Sequence, residues 1–336
     1  MASEKIDSEE AIIGEFWVPL AAGLPGAFGL QDDCAAIAPE PGTDLVVTTD
    51  AVIAGVHFLA GEEAGAIAWK ALAVNVSDLV AKGATPLVYL MTLALPAAPE
   101  RQWLAAFAEG LGRAQGAFGC SLIGGDTDRT PGPLSVSITA LGTVPQGRMV
   151  RRSTARAGDA VYVSGTIGDA AVGLALAREP ELALRCKLDA AARAHLDAAY
   201  RQPQPPVALS RAVLAYASAA MDVSDGLVKD FDRLCRSAGV GGRIEAASVP
   251  LSAAARAVIA GGGATLADLL TGGEDYQVLA TVAPQHTRNF EQASAAAGAP
   301  VTRIGLIDDG ANGVRVCDES GRAMSFARTG WDHFRQ

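Results

Sequence analysis

The sequence has few residues that react on their own. Its 336 residues include 5 cysteines and 4 histidines. Cys34, Cys120, Cys186, Cys235 and Cys317 form no CxxC pair, and no HExxH is present. A zinc centre and a disulfide scaffold are therefore not expected, and reduced, mostly buried thiols in a cytoplasmic protein are. The phosphate-loop pattern GxxxxGK[ST] is missing, as are the dinucleotide fingerprint GxGxxG, the kinase HRD…DFG set and the hydrolase GxSxG. Positive charge is also short. The formal net charge is −10, which argues against nucleic acid or an anionic membrane as partner, since both attract basic surfaces. The strongly apolar run Pro86 to Ala98 is too short to span a bilayer and contains two prolines. Met1 to Glu10 is polar and acidic, unlike a signal or transit peptide.

What the sequence does have is apolar mass and oddly placed acid. It is 50% hydrophobic and 19% charged, enough to bury a core and to exclude disorder. Its length predicts two domains. Strand-like and helix-like stretches alternate in both halves, which predicts an α/β (α+β) class. Helices are predicted over Glu9 to Leu20 (capped by Asp7 or Ser8), Ala64 to Lys82, Glu100 to Phe118 and Leu227 to Ala238. Strands are predicted at Ala35–Ala38, Asp44–Thr49, Leu87–Leu95, Ser121–Ile123, Leu134–Val144, Ala160–Ser164 and Tyr276–Val282. A basic, Gly- and Pro-containing segment between Pro145 and Gly158 marks the boundary, giving domains 1–148 and 149–336.

The acidic residues recur in short Gly-, Ser- and Thr-flanked clusters, several of them after an apolar run. These are Gln31-Asp32-Asp33-Cys34, Thr48-Thr49-Asp50, Asn75-Val76-Ser77-Asp78-Leu79, Gly124-Gly125-Asp126-Thr127, Asp222-Val223-Ser224-Asp225-Gly226 and Gly272-Gly273-Glu274-Asp275. Gathered carboxylates repel unless a cation lies between them. Hard oxygen ligands suit Mg²⁺, which also takes substrate phosphates as ligands. That points to a Mg²⁺-dependent enzyme acting on a phosphorylated substrate. Each cluster also has a plain reading: Asp78 pairing with Lys82 along the helix, Ser224 or Asp225 as a helix cap, and the glycine pairs as tight turns that let backbone approach a phosphate. His57 reads by default as a core histidine, Arg148 and Arg152 as a solvated basic stretch, and Trp331 as a packing residue.

Taken in order, the clusters are more specific than any one of them. With Gly55-Val56-His57-Phe58, Lys70 to Leu79, Asp222 to Leu227, Glu274-Asp275-Tyr276 and Trp331-Asp332-His333-Phe334, the sequence closely resembles the thiamine-monophosphate kinases, of the superfamily of aminoimidazole ribonucleotide synthetase. The resemblance implies an N-terminal α/β domain whose strands form a barrel across a homodimer, and a C-terminal α/β domain covering the active-site cleft. It implies ATP-dependent conversion of thiamine monophosphate to thiamine diphosphate by direct in-line transfer. Several Mg²⁺ ions would be held by Asp33, Thr48, Thr49, Asp50, Asp78, Asp126, Asp222 and Asp225, with Asp50, Asp78 and Asp126 at the chemistry. Gly125, Asp126, Arg152 and Ser224 would contact ATP. His57, Glu274 and Trp331 would contact the thiamine substrate. Gln31 stands where the family usually has Gly, so a backbone strain is expected there if that position needs a positive φ. Another ATP-dependent enzyme of the superfamily, or a non-catalytic protein binding nucleotide or metal, would carry similar acidic loops.

Overall fold

The structure, a computed structural model, describes residues 5–6, 8–310 and 313–332. Asp7, His333 and Phe334 lie outside these. The chain divides into two compact units, one of residues 1–79 and 85–147, the other of residues 80–84 and 148–336.

The first unit begins with α1 (Glu9–Ile12), where Ser8 accepts the N–H of Ala11 at 3.3 Å. The predicted helix continues to Ala21, but as a π segment and then a 3-10 turn. Pro19 enters that turn and has no N–H to extend an α ladder. Then come β1 (Thr43–Ile53), α2 (Ala64–Ala81), β2 (Thr85–Leu95), α3 (Arg101–Phe118), β3 (Ser121–Arg129) and β4 (Ser135–Pro145). The sheet order is β1-β4-β2-β3, antiparallel except for the β2–β3 pair. The two helices lie on one face. Tyr89 of β2 donates to Gln115 of α3 at 2.8 Å, and Thr48 of β1 reaches α2. α2 is long and apolar enough to cross a membrane, but 94% of it is buried inside the protein. That is the pattern of a core helix, hydrophobic on every side.

Three sequence expectations change here. Ala35–Ala38 is not a strand. Ala36 N–H bonds to Gly26 O at 2.9 Å without starting a ladder. The short strand expected at Ser121–Ile123 runs on to Arg129, so Gly124-Gly125-Asp126 lies within β3 and not in a turn after it. The glycine is what permits this: a Cβ at Gly125 would sit 1.9 Å from the Met91 carbonyl oxygen of β2. Gln31 takes φ −109°, so it carries no left-handed strain. The positive φ values fall instead on Phe28, Gly29 and Leu30.

The second unit comprises β5 (Ala160–Ser164), α4 (Asp169–Arg178), α5 (Leu182–Arg185), α6 (Ala190–Arg201), α7 (Ser210–Tyr216), β6 (Ala217–Val223), α8 (Leu227–Ala238), β7 (Gly241–Glu245), α9 (Ala253–Ala260), α10 (Leu266–Thr271), β8 (Gln277–Val282), α11 (Thr287–Ala296), β9 (Val301–Asp308) and β10 (Val314–Cys317). Its six-stranded sheet has the order β10-β7-β9-β5-β8-β6, with only β10–β7 parallel. Leu227, Phe231, Leu234 and Cys235 of α8 pack into its core with Val161, Val163, Met221 and Leu279. Both units mix helices with a sheet, so the class is α/β (α+β).

Candidate active-site residues in the two units

In the first unit the side chains of β1 alternate between two faces. Thr48 and Asp50 share the face covered by α2, on which Asn75 and Asp78 are one turn apart. Thr48 Oγ1 donates to Asp78 Oδ2 at 2.6 Å. Asn75 Oδ1 accepts the main-chain N–H of Asp50 at 2.9 Å, while its Nδ2 donates to Ala71 O at 3.0 Å. The buried Asn75 thus fixes the backbone under Asp50, a role the sequence reading did not give it. Its signal was an amide three residues before an acid on an otherwise apolar helix. Lys82, the plain partner for Asp78, donates its Nζ to Ala220 O at 2.7 Å.

Thr49 points to the other face, where its Oγ1 donates to Ile138 O and accepts from Thr139 Oγ1, each at 3.1 Å. It can reach an ion beside Thr48 and Asp50 only through its main-chain carbonyl. Asp126 lies across the sheet on β3, in register with Thr92. Three strand spacings, roughly 14 Å, separate β1 from β3. Ligand oxygens of one Mg²⁺, each about 2.1 Å from it, stay within roughly 4 Å of one another. Asp50 and Asp126 of one chain therefore cannot share an ion. Asp33 is exposed in its loop, and its N–H is taken by Asp32 Oδ1 at 2.8 Å.

His57 sits in the turn after β1. Its Nδ1 accepts the Ile53 N–H at 3.1 Å, and buried Lys70 donates to its carbonyl at 2.8 Å. With a main-chain donor aimed at Nδ1, the neutral ring carries its proton on Nε2 and presents it as a donor.

In the second unit the site residues are organised by backbone. Asp222 is buried at the end of β6. The loop after it is bonded to two distant segments: Val223 O accepts from Tyr276 N–H at 2.8 Å, Ser224 O from Glu274 N–H at 2.7 Å and Asp225 O from Trp331 N–H at 2.8 Å. Ser224, Glu274 and Trp331 are thereby held together. Glu274 and Tyr276 take φ of +64° and +50°, conformations costing on the order of 1 kcal/mol or more each in a non-glycine residue. Gly273 between these segments has no room for a Cβ, which would lie 2.6 Å from Ser224 O. The Arg152–Thr154 turn packs against α8 and β6, with Arg152 itself exposed.

Asp225 was expected to bind metal. Here its Oδ2 has two cationic partners, Lys229 Nζ at 3.1 Å and Arg233 Nη1 at 2.6 Å. Its charge is compensated without an ion. Lys229 also donates to the Trp331 carbonyl. Two more acids were missed. Asp230, fully buried, accepts the N–H groups of Ser224 and Asp225 at 3.0 and 2.9 Å. Burial raises its carboxyl to about 6, against the pull of those N–H groups and of Arg233. Asp275 is also buried and accepts the Gly168 N–H through both oxygens, at 2.9 and 3.0 Å. Burial pushes it well above the usual carboxylate range, and the neighbouring Asp169 adds to this.

Among the described residues no three His, Cys, Asp or Glu side chains converge on a point that could hold a metal. Mg²⁺ does not require such a cage. It keeps several waters and takes one or two carboxylates with substrate phosphates. Thr48, Asp50 and Asp78 offer hard oxygen donors of that kind, and the Thr48–Asp78 contact shows two of them already converging.

The family model for AIR synthase related protein, N-terminal domain, matches residues 31–144, and that for the C-terminal domain matches residues 156–318. A thiamine-monophosphate kinase of Caulobacter vibrioides is 41% identical over 325 residues, covering 94% of this chain and 88% of the relative. The crystal structure of thiamine-monophosphate kinase from Stenotrophomonas maltophilia superposes with a TM-score of 0.81 at 36% identity, covering 96% of this chain and 100% of the other. AaThiL complexed with AMPPCP and TMP superposes with a TM-score of 0.77 at 30% identity, covering 99% and 100%. From its ordered acidic motifs to its two matched domains, the chain belongs to the thiamine-monophosphate kinase family of AIR synthase related proteins.

Proposed function

We propose that the protein transfers the γ-phosphoryl group of ATP to thiamine monophosphate, giving thiamine diphosphate and ADP. The observation that carries this reading is the full-length likeness to a structure that holds AMPPCP and TMP. The chemistry of the residues agrees with it. A phosphate monoester has a second pKa of about 6 and is already a dianion near neutral pH. Its oxygen attacks the γ-phosphorus while the bond to the β,γ-bridging oxygen breaks, and ADP leaves with that electron pair. No general base is required for this step.

The obstacle is the approach of two polyanions. Bound Mg²⁺ would supply charge neutralisation and alignment there, with Thr48, Asp50 and Asp78 as the residues that fit it best and Asp33, Asp126 and Asp222 as further carboxylates. Arg152 neutralises phosphate charge, and Gly125, Asp126 and Ser224 contact the nucleotide. His57 donates from Nε2 to the substrate. The thiazolium ring is cationic, so it stacks on Trp331, 37% exposed, and is attracted by Glu274. A cation–π contact at such a site contributes about 0.5–1 kcal/mol.

The same reading includes a homodimer in the cytoplasm. On the sheet face away from α2 and α3, Leu45, Val47 and Leu90 are 39%, 58% and 40% exposed, and β1 and β3 are edge strands. An apolar face flanked by unpaired edges suits a second copy.

The test is an incubation of purified protein with ATP, Mg²⁺ and thiamine monophosphate, separated by chromatography. Equal amounts of thiamine diphosphate and ADP are expected. ATP binding without thiamine diphosphate would overturn the reading.

A further inference from the structure

We propose that Asp230 is the positioning residue for the substrate-binding segments of the second unit, acting through the loop from Asp222 to Gly226. Gly226 precedes α8 and provides no side-chain cap, so the first N–H groups of the helix and those just before it need another acceptor. Asp230, one turn into the helix, folds back and supplies that acceptor from a fully buried position.

The geometry goes further than capping. In a trans peptide the C=O and N–H point in opposite directions. The peptide joining Val223 to Ser224 donates its N–H to Asp230 at 3.0 Å and accepts from Tyr276 N–H at 2.8 Å. The peptide joining Ser224 to Asp225 donates to Asp230 at 2.9 Å and accepts from Glu274 N–H at 2.7 Å. One carboxylate oxygen thus holds two successive peptide planes by one end, and the opposite ends of those planes hold the Glu274–Tyr276 turn. The next carbonyl, that of Asp225, holds Trp331.

The other oxygen of Asp230 accepts from Arg233 Nη1 at 3.0 Å, and the same Arg233 nitrogen reaches Asp225 Oδ2 at 2.6 Å. The carboxylate is therefore fixed in rotation as well as in place. If either peptide plane turned, it would lose a hydrogen bond to a buried charge and one to the turn together. Asp230 touches no substrate in this account. It sets where Glu274 and Trp331 stand, and the left-handed conformations of Glu274 and Tyr276 persist because these bonds over-determine them.

This inference rests on the proposed phosphorylation of thiamine monophosphate, so its test has two arms. In the first, Asp230→Asn is assayed on its folded fraction. The KM for thiamine monophosphate should rise about tenfold, the scale of one hydrogen bond to a charged group, with kcat within about threefold of wild type. A purely structural role would lower the active fraction and leave KM unchanged, and that result would overturn the proposal. The second arm uses the wild-type chain and needs neither activity nor a folded variant. Hydrogen exchange at the Ser224 and Asp225 amides should be as slow as at the core amides of α8. Exchange there as fast as in an open loop would equally overturn it, whatever the kinase assay gives.

Discussion

The two units present their candidate site residues by different means. In the first, Thr48 and Asp50 are on a strand and Asn75 and Asp78 on a buried helix, and side chain meets side chain or backbone across regular elements. In the second, Ser224, Glu274 and Trp331 come from a loop, a turn and a tail that are joined almost wholly by main-chain hydrogen bonds. Regular elements fix positions through periodicity and packing, and suit groups that must hold charge rigidly. Loops tied by backbone tolerate unusual φ/ψ values and can shape a surface around a ring. Under the proposed function, phosphate and ion chemistry would fall chiefly to the first arrangement and recognition of the thiamine ring chiefly to the second.

The largest expected effect strikes the first arrangement. Stripping divalent cations with EDTA should lower thiamine diphosphate formation by roughly 10³-fold or more, with circular dichroism unchanged and activity restored by added Mg²⁺. Retained activity without divalent ions would remove the role given to Thr48, Asp50 and Asp78.

A second prediction concerns the sheet itself. In Gly125→Ala the new methyl would meet the Met91 carbonyl oxygen, which belongs to backbone and cannot swing away. The variant should lose roughly 3 kcal/mol of stability, seen as a lower denaturation midpoint. An unchanged midpoint would mean that β3 can leave β2 without penalty.

These two regions were also unequally legible in the sequence. Periodicity marked α2 and β1, and an acid inside an apolar helix marked Asp78, because a buried charge needs a partner. The length of β3 was hidden, since Gly124-Gly125 carries the usual signal of a turn and only the approach of Met91 explains a strand there. The motifs around Ser224 and Glu274 were visible, but not what holds them. Asp230 lies in the first turn of α8 with nothing in its neighbourhood to single it out, and Asp275 reads only as part of a Gly-rich turn. Both act on backbone N–H groups, and no sequence pattern reports which main-chain donor a buried carboxylate will meet. The partners of Asp225 were hidden too: Lys229 and Arg233, both from α8, pair with its carboxylate. Thr49 was grouped with its neighbours although strand alternation turns it to the other face.

Asp275 sharpens the second arrangement by pH. Its folded-state pKa is raised by burial, whereas an unfolded aspartate titrates near 3.9. Below about pH 4 both states are protonated. As pH rises above that, the unfolded chain releases the proton first, so stability falls until the buried carboxyl itself ionises. Asp275→Asn keeps an acceptor for Gly168 N–H and removes the ionisation. Near pH 4 the two proteins should have similar stability, and above it the variant should gain by up to about 1.4 kcal/mol for each pH unit within the window. A constant difference in denaturation midpoint across pH 4 to 8 would contradict the buried, hard-to-ionise state.

The smallest effect is at the ring platform. Trp331→Ala should raise the KM for thiamine monophosphate about three- to fivefold, the scale of one exposed cation–π contact, and leave the KM for ATP near its wild-type value. Trp331→Phe should recover most of the loss. Equal rises for both substrates would move Trp331 out of ring recognition.

The most direct test of the division between the two regions is Asp78→Ala, examined for binding and turnover together. The variant loses the Thr48 partner and leaves Glu274 and Trp331 unaltered, so thiamine monophosphate binding measured by calorimetry should persist. Single-turnover formation of thiamine diphosphate should fall by about 10²–10³-fold. Transfer at the wild-type rate would contradict the account.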